Sequence, residues 1–412
     1  ISKKWSIILN NYYLKQLGGM RMEKKLKKAF EFIKQEEETM KKLWFDLCRI
    51  ESQSLDREGI NKAVEFLEKN LKNFGMKTQV FDYGSGGNSI TAYFDNGSKE
   101  LETIIIGHLD TVHKKGSFGE EVIRIDEAND MIYGPGVLDC KGGVVIGAFV
   151  ARVLNHIGYN KIVKLAYSGD EEVGHQTTNG KGKEFFLEEA KGFKTAIDCE
   201  TGFTDGRIVV GRKGAARFQI IIQGKGAHAG NEPENGVSAI KEAAYKILRI
   251  EEENDYNSTH YNVGIINGGT NVGSIPENCT LTIDVRYRKA SDIKEIRDFL
   301  ERVTKKTYVK GTKSELKEIL IFDSMDETEK NKRLFEIVKE NSERLNLGIP
   351  YPCFLGGGSD AAYTVALGIP TICAMGVQGY ENHTIRERAV ISSFIERTKL
   401  IVASILSLPE VI

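Results

Sequence analysis

At 412 residues the chain has room for two or three domains of roughly 150 residues each. Its 41% hydrophobic and 28% charged residues are ordinary globular composition and exclude a disordered chain. With 57 Lys+Arg against 58 Asp+Glu the net charge is −1, so no global field exists to hold nucleic acid or an anionic membrane, and no run approaches the ~18 apolar residues that span a bilayer.

Residues 1–21 are read as an extension outside the fold, because the apolar run Trp5–Leu9 is too short for a signal segment and no small-residue cleavage site follows it. From Glu23 to Lys42, charges interleave with Leu26, Phe30, Ile33 and Met40, which predicts an amphipathic helix. Ile60, Ala63, Phe66, Leu67 and Leu71 repeat that pattern over Gly59–Leu71. Short apolar runs follow at 103–106, 161–167 and 195–198, of the kind buried on both faces of a sheet. The stretch from Gly142 to His156, between the first two, is apolar and of helical length. Strand, helix, strand indicates βαβ units and a largely parallel sheet.

The texture changes near Gly211. Segments 218–224 and 280–287 read as strands buried on one face, the second with Leu281, Ile283, Val285 and Tyr287 on one side. Two amphipathic helices accompany them, one through Val237, Ile240, Ala244, Ile247 and Leu248, the other through Ile293, Ile296, Leu300 and Val303 behind a Ser291 N-cap. From Phe322 the α/β texture returns, with a helix near 332–345, a strand near 371–374 and a final helix to Leu406. The expected organisation is a catalytic domain in two segments, 22–211 and 322–412, with 212–321 inserted. The six cysteines stand singly with no CxxC, which fits free thiols in a reducing cytoplasm.

Polar clusters occupy the ends of apolar strands: His108 and Asp110, Glu171 and Glu172, Glu200, and His383. Asp139 lies in the loop before a helix. In open α/β sheets that rim binds ligands. Two histidines with several carboxylates suit two divalent ions, zinc most naturally, and no cysteine is required. His108 and Asp110 are i and i+2, so on an extended segment they share a face, and Asp110 is placed to fix the tautomer of His108. Of the adjacent pair Glu171 and Glu172, one binds metal and the other accepts a proton from water. His113, His156, His175 and His260 take the default structural reading. The glycines at 211, 214, 224 and 226 do not lead from a strand into a helix, so a dinucleotide site is a poor reading. There is no Walker lysine, and acids rather than a serine elbow follow Gly169.

At these residues the sequence resembles the dinuclear zinc hydrolases that include glutamate carboxypeptidase, acetylornithine deacetylase, succinyl-diaminopimelate desuccinylase and aminoacylase. The motifs are GHLDTV (107–112), YGPGVLDCKGG (133–143), SGDEEVG (168–174), GKGAHAG (224–230) and GGGSDAAY (356–363), with His383 following. YGPG, GGGSDAAY and IPENCTLTIDVRY (275–287) look most like the glutamate-releasing carboxypeptidases.

The resemblance implies a zinc-peptidase-like α/β catalytic domain, its mixed, mainly parallel sheet flanked by helices, plus an inserted α+β (ferredoxin-like) lid and dimerisation domain. It implies that Asp139 bridges two metals, with His108 and Glu200 on one and Glu172 and His383 on the other. Asp198, two residues back on its strand, is the alternative to Glu200. Glu171 would be the general base and Asp110 the partner of His108. His228 would act in trans across a homodimer, and Asn271, Arg286 and Gly356, Gly357 and Gly358 would hold the substrate's carboxylate end. A cis peptide is expected at Asp139–Cys140. The implied metals are Zn²⁺, with Co²⁺ or Mn²⁺ able to use the same ligands. The implied reaction is amide hydrolysis releasing a C-terminal amino acid, glutamate among the candidates, from a peptide or N-acyl amino acid. Dipeptidase or N-acyl-amino-acid deacylase activity is the alternative within the class, and a non-catalytic metal-bound binding protein the alternative outside it.

Overall fold

The computed structural model describes residues 3–410 and 412, with side chains from Met22 onward. The side chains of the expected extension 1–21 fall outside the described residues; the backbone of 3–21 is helical, within the helix Lys3–Cys48. The chain divides into two compact units. The first comprises Ile1–Val210, Thr328–Cys353 and Tyr363–Ile412, the second Gly211–Glu327 and Phe354–Ala362.

The first unit is built on a six-stranded mixed sheet in the order Lys77–Phe81, Ser89–Tyr93, Ile162–Ser168, Leu101–His108, Thr195–Asp198, Thr371–Ile372. The last four strands are parallel and the first two pair antiparallel. The strand Leu101–His108 carries the apolar run Ile104, Ile105 and Ile106 at its centre because both its faces are covered there. Ile104 and Ile106 join Phe186 and Tyr363 on one side, while Ile105 joins Val144 and Phe149 on the other. The helix Lys141–His156 is buried nearly all round, packing on the central strand, on Lys3–Cys48 and on the C-terminal helix Ile391–Leu406. Its first turn needs glycine: a Cβ on Gly143 would sit 1.8 Å from the carbonyl oxygen of Cys199. Trp44 stacks on Phe394, centroids 4.9 Å apart, and donates to the carbonyl of Val137 at 3.1 Å.

A second, five-stranded sheet in this unit has no counterpart in the sequence reading. It joins Arg124–Asp126, Met131–Tyr133, Arg388–Val390, Gln378–Tyr380 and Gly202–Phe203.

The second unit carries a four-stranded antiparallel sheet, ordered His260–Gly268, Asn278–Tyr287, Gly214–Gln223, Lys313–Phe322. With the helices Ala239–Glu251 and Asp292–Lys305 it forms the βαββαβ chain order of a ferredoxin-like unit. Alternation along Asn278–Tyr287 buries Cys279, Leu281, Ile283, Val285 and Tyr287 in one core. Ser291 occupies the N-cap position without making a cap bond, and Asp292 instead accepts from the amide of Lys289 at 3.0 Å. Phe354–Ala362, which the sequence assigns to the catalytic segment, belongs here for three reasons. Gly211 packs on the Phe354 ring, the Lys213 amide bonds the Leu355 carbonyl at 2.8 Å, and Arg212 donates to the Gly358 carbonyl at 3.1 Å.

Candidate metal centre

In the first unit, parallel register aligns three strand ends. His108 lies opposite Ser168, and Ile106 opposite Asp198. The residues that follow each strand, Asp110, Glu171 with Glu172, and Glu200, therefore leave the sheet on one rim. The small sheet gathers the remaining loops. Gln378 pairs with Gly202 and Arg388 with Tyr133, so the segments leading to His383, away from Glu200 and towards Asp139 are tied side by side. The Asp139–Cys140 peptide is cis.

Five side chains meet there. The Nε2 of His108 lies 3.1 Å from Asp139 Oδ1 and 3.2 Å from Glu200 Oε1. The Nε2 of His383 lies 3.2 Å from Asp139 Oδ2 and 3.2 Å from Glu172 Oε2. Asp139 thus presents one oxygen to each imidazole. Glu200 rather than Asp198 is the carboxylate brought to His108. Glu172 Oε1 is buried with no hydrogen-bond partner among the described residues, an arrangement costly unless a cation sits nearby. This convergence of lone pairs from nitrogen and oxygen donors fits divalent cations. Cys140 lies close enough to His108 and Glu200 to join a ligand set. However, burial pushes its thiol well above the ordinary range, and it accepts from the His108 amide at 3.1 Å. The sulfur is engaged by the His108 backbone, and its S–H faces the His108 carbonyl at 3.5 Å.

The support around these groups differs from the sequence reading in one respect. His108 Nδ1 donates to the main-chain carbonyl of Asp110 at 3.0 Å, with the Asp110 carboxylate at 3.4 Å. That carboxylate accepts from the amides of Glu171 and Glu172 at 3.1 and 3.2 Å and from the Ser54 hydroxyl at 2.7 Å. Asp110 therefore fixes the His108 tautomer through its backbone and positions the Glu171–Glu172 turn through its side chain.

Three further residues have no role assigned from the sequence, although Asn382 stands in the polar cluster 381–383. Glu387 is fully buried and accepts from the amides of Leu138 and Asp139 at 3.0 and 3.1 Å. Its other oxygen lies 2.6 Å from His113 Nε2, which gives that histidine its structural role. Asn382 donates to Asp139 Oδ2 at 3.0 Å. Ser54 holds Asp110, as above. Of the other histidines, His175 pairs with Asp170 at 2.9 Å and His156 stacks on Phe32.

The charges are strongly coupled. Burial works against the ionised form of Asp139, but hydrogen bonds from His108 and His383 hold it well below the carboxylate range. Burial likewise opposes protonation of His108, yet Cys140, Asp110 and Asp139 together raise it well above its ordinary value. Burial, with the Asp139 charge, lifts Glu172 to about 7. Hydrogen bonds to Asp139 and Glu172 raise His383 to about 11. Without a cation the cluster shares protons that a metal would displace.

The remaining predicted residues lie in the second unit. His228 is exposed, its Nδ1 accepting from the amides of Gly230 and Asn231 at 3.1 and 3.0 Å, and it bridges to Ser274. Asn271 accepts from the Gly273 amide at 2.7 Å in the loop opposite. Arg286 is held by Asp284, two residues back on the same strand face, at 2.7 Å. Gly356 and Gly357 are exposed, and Gly357 and Gly358 turn their carbonyls to Arg212.

Comparison with known proteins gives a consistent picture. The chain is 30% identical over 361 residues to carboxypeptidase G2 of Pseudomonas sp. (strain RS-16), covering 85% of this chain and 84% of that protein. Residues 210–312 match a family described as a peptidase dimerisation domain. The fold is similar to aminopeptidase PepT from Bacillus cereus ATCC 10987, with a TM-score of 0.72 at 23% identity over 90% of this chain and 98% of that one. It is also similar to the M20 family metallo-carboxypeptidase Sso-CP2 from Sulfolobus solfataricus, with a TM-score of 0.68 at 18% identity over 90% and 99%.

Proposed function

The chain belongs to the M20 metallopeptidase family, and from that premise we propose that it hydrolyses an amide bond to release a C-terminal amino acid from a peptide or N-acyl amino acid. The single observation carrying this reading is Asp139 set between two imidazoles, with Glu172 and Glu200 completing the set. Such a cluster fits two divalent ions, Zn²⁺ by donor type, one with His108 and Glu200, the other with Glu172 and His383, and Asp139 shared. Bound ions of this kind supply Lewis acidity, lowering the pKa of water and stabilising negative charge on an attacked carbonyl oxygen.

The chain's own residues carry the proton. Glu171 is anchored through its amide to Asp110 beside the ligand Glu172. Its carboxylate takes a proton from the attacking water and returns it to the leaving amine nitrogen as the C–N bond breaks. We assign Asn271, Arg286 and the Gly356–Gly358 loop to the substrate's carboxylate, because a guanidinium suits a planar carboxylate. A substrate amidated at its C-terminus is expected to turn over far more slowly, and equal rates would contradict that assignment. Glutamate is the first C-terminal residue to test. The six cysteines are all free, which supports a reducing cytoplasm. Among the described residues no helix is long and apolar enough to cross a membrane.

We read the assembly as a homodimer. The outer strand His260–Gly268 leaves one edge unpaired and exposes Ile265 and Ile266, with Leu248 exposed on the helix Ala239–Glu251. Unprotected apolar edges invite pairing. His228 of the partner subunit would then stabilise the oxyanion, a contact whose loss costs ~3 kcal/mol in the barrier. A monomer in sedimentation equilibrium would overturn this. The decisive experiment on the chemistry is Glu171→Ala, expected to abolish turnover while metal content stays at the wild-type level. Wild-type activity in that variant would defeat the proposal.

A further inference from the structure

Away from the metal cluster, the first unit contains a cavity of about 260 Å³ between the helix Ile391–Leu406 and the segments 204–208 and 342–350. None of the metal-cluster residues lines it. Its walls are part apolar, with Leu347, Ile349 and Leu400, and part polar, with Thr204 and Gln378. Arg397 also faces it. This arginine is only 5% exposed, yet it makes no hydrogen bond and no ion pair with any described residue. Burial lowers its pKa to about 10, which still leaves it charged at neutral pH.

Its N–H donors meet no acceptor among the described residues and open onto the cavity, where a charge so little exposed is costly unless an anion sits beside it. Two carboxylates, Asp205 and Glu396, also line the cavity, and neither supplies that anion. Asp205 is taken by Arg207 at 2.9 Å and by the Tyr351 hydroxyl at 3.2 Å. Glu396 is exposed and adjacent in sequence, and side chains at i and i+1 on a helix do not face each other. Its charge is screened by solvent, and it leaves the Arg397 donors unmet.

We infer that this cavity is a second ligand site, which takes a compact oxyanion, a carboxylate or a phosphate, on Arg397 with an apolar substituent against Leu347, Ile349 and Leu400. Guanidinium is the side chain best shaped for such groups. The cavity suits a small molecule rather than a peptide.

The test uses the metal-loaded full chain, titrated separately with inorganic phosphate and with hexanoate at constant ionic strength. The melting temperature and calorimetric binding are read for the wild type and for Arg397→Met. One of the two anions is expected to raise the wild-type melting temperature saturably, and which one does so identifies the headgroup. In Arg397→Met the apparent affinity of that anion should be about tenfold weaker or lost. Without ligand, Arg397→Met should melt at or above the wild type, because an uncompensated buried charge has been removed. No saturable rise in the wild type, the same rise in Arg397→Met, or a large fall in the ligand-free melting temperature of that variant would each overturn the inference. Should Arg397→Met fail to fold, Ile349→Trp, at a rim position 72% exposed, keeps the charge and fills the mouth. It should abolish the anion-dependent rise, and retention of the rise would overturn the inference.

Discussion

The two halves of the proposed metal cluster are built differently. His108 is 1% exposed, sits at the end of a central strand and is held from behind by the Asp110 carbonyl. His383 is 53% exposed and sits in a loop whose residues Glu381 and His383 both have positive φ, 60° and 62°. One imidazole rests on a sheet strand; the other sits on a loop, against the carboxylates of Asp139 and Glu172. Preorganised ligands lose less freedom on binding, so the strand-borne site should hold its ion more tightly than the loop-borne one.

The largest effect expected is that of Asp139→Ala, which removes the oxygen facing each imidazole. Turnover should vanish and elemental analysis should show both ions depleted. Full occupancy in that variant would remove the shared-carboxylate picture. The single-histidine variants then separate the halves. His108→Ala should weaken the tighter site and His383→Ala only the looser one, so that His383→Ala retains one ion under dialysis that strips the other. Equal losses in both variants would show that the two halves are equivalent.

Next in size is Glu387. It holds the Leu138 and Asp139 amides and so sets the loop that presents the shared carboxylate. Outer partners of this type are worth 10–100-fold in metal affinity or activity, as a rough guide. Glu387→Ala should weaken metal binding by that order and also destabilise the fold by about 1–3 kcal/mol, through two buried donors left unmet. Glu387→Gln, which keeps an acceptor for the amides, should recover most of the affinity. Wild-type metal affinity in Glu387→Ala would place Asp139 under other control.

The sequence made the strand-borne half of the cluster readable, and the physical reason is periodicity. A strand covered on both faces favours a continuous apolar or β-branched run, so 103–106 and 195–197 stand out and the polar groups just beyond them mark a rim. The βαββαβ unit was equally visible through one-face alternation. The small sheet was not, because strands of two or three residues carry no period, and it is this sheet that brings the His383, Glu200 and Asp139 loops together. Glu387 is one acid among 58 and carries no spacing signal. The i,i+2 relation of His108 and Asp110 gave the shared face but not the atom used, since a backbone carbonyl leaves no mark in side-chain identity. Phe354–Ala362 was assigned by chain continuity, whereas its packing on Gly211 and Arg212 places it with the second unit.

The smallest expected effect concerns the metal-free protein. His383 is raised from 6.5 to about 11 by Asp139 and Glu172, so the folded state binds more protons than the unfolded state across that interval. Stability from this pairing is complete below 6.5 and falls as pH rises towards about 11. Glu172, raised from 4.5 to about 7, adds a fall in the same direction that is finished near neutrality. Above that point the histidines share the slope with buried thiols and phenols, among them Cys48 and Tyr83, which burial pushes up to about 12. The half-exposure of His383 lets solvent screen its share, so the change should be modest. In chelator, the melting temperature of the wild type should decline through the alkaline range, and His383→Asn should decline less steeply, with His108 and the buried thiols and phenols carrying the remainder. Identical slopes would mean that the loop histidine is not drawn in by charge, and the contrast between the two halves would have to rest on burial alone.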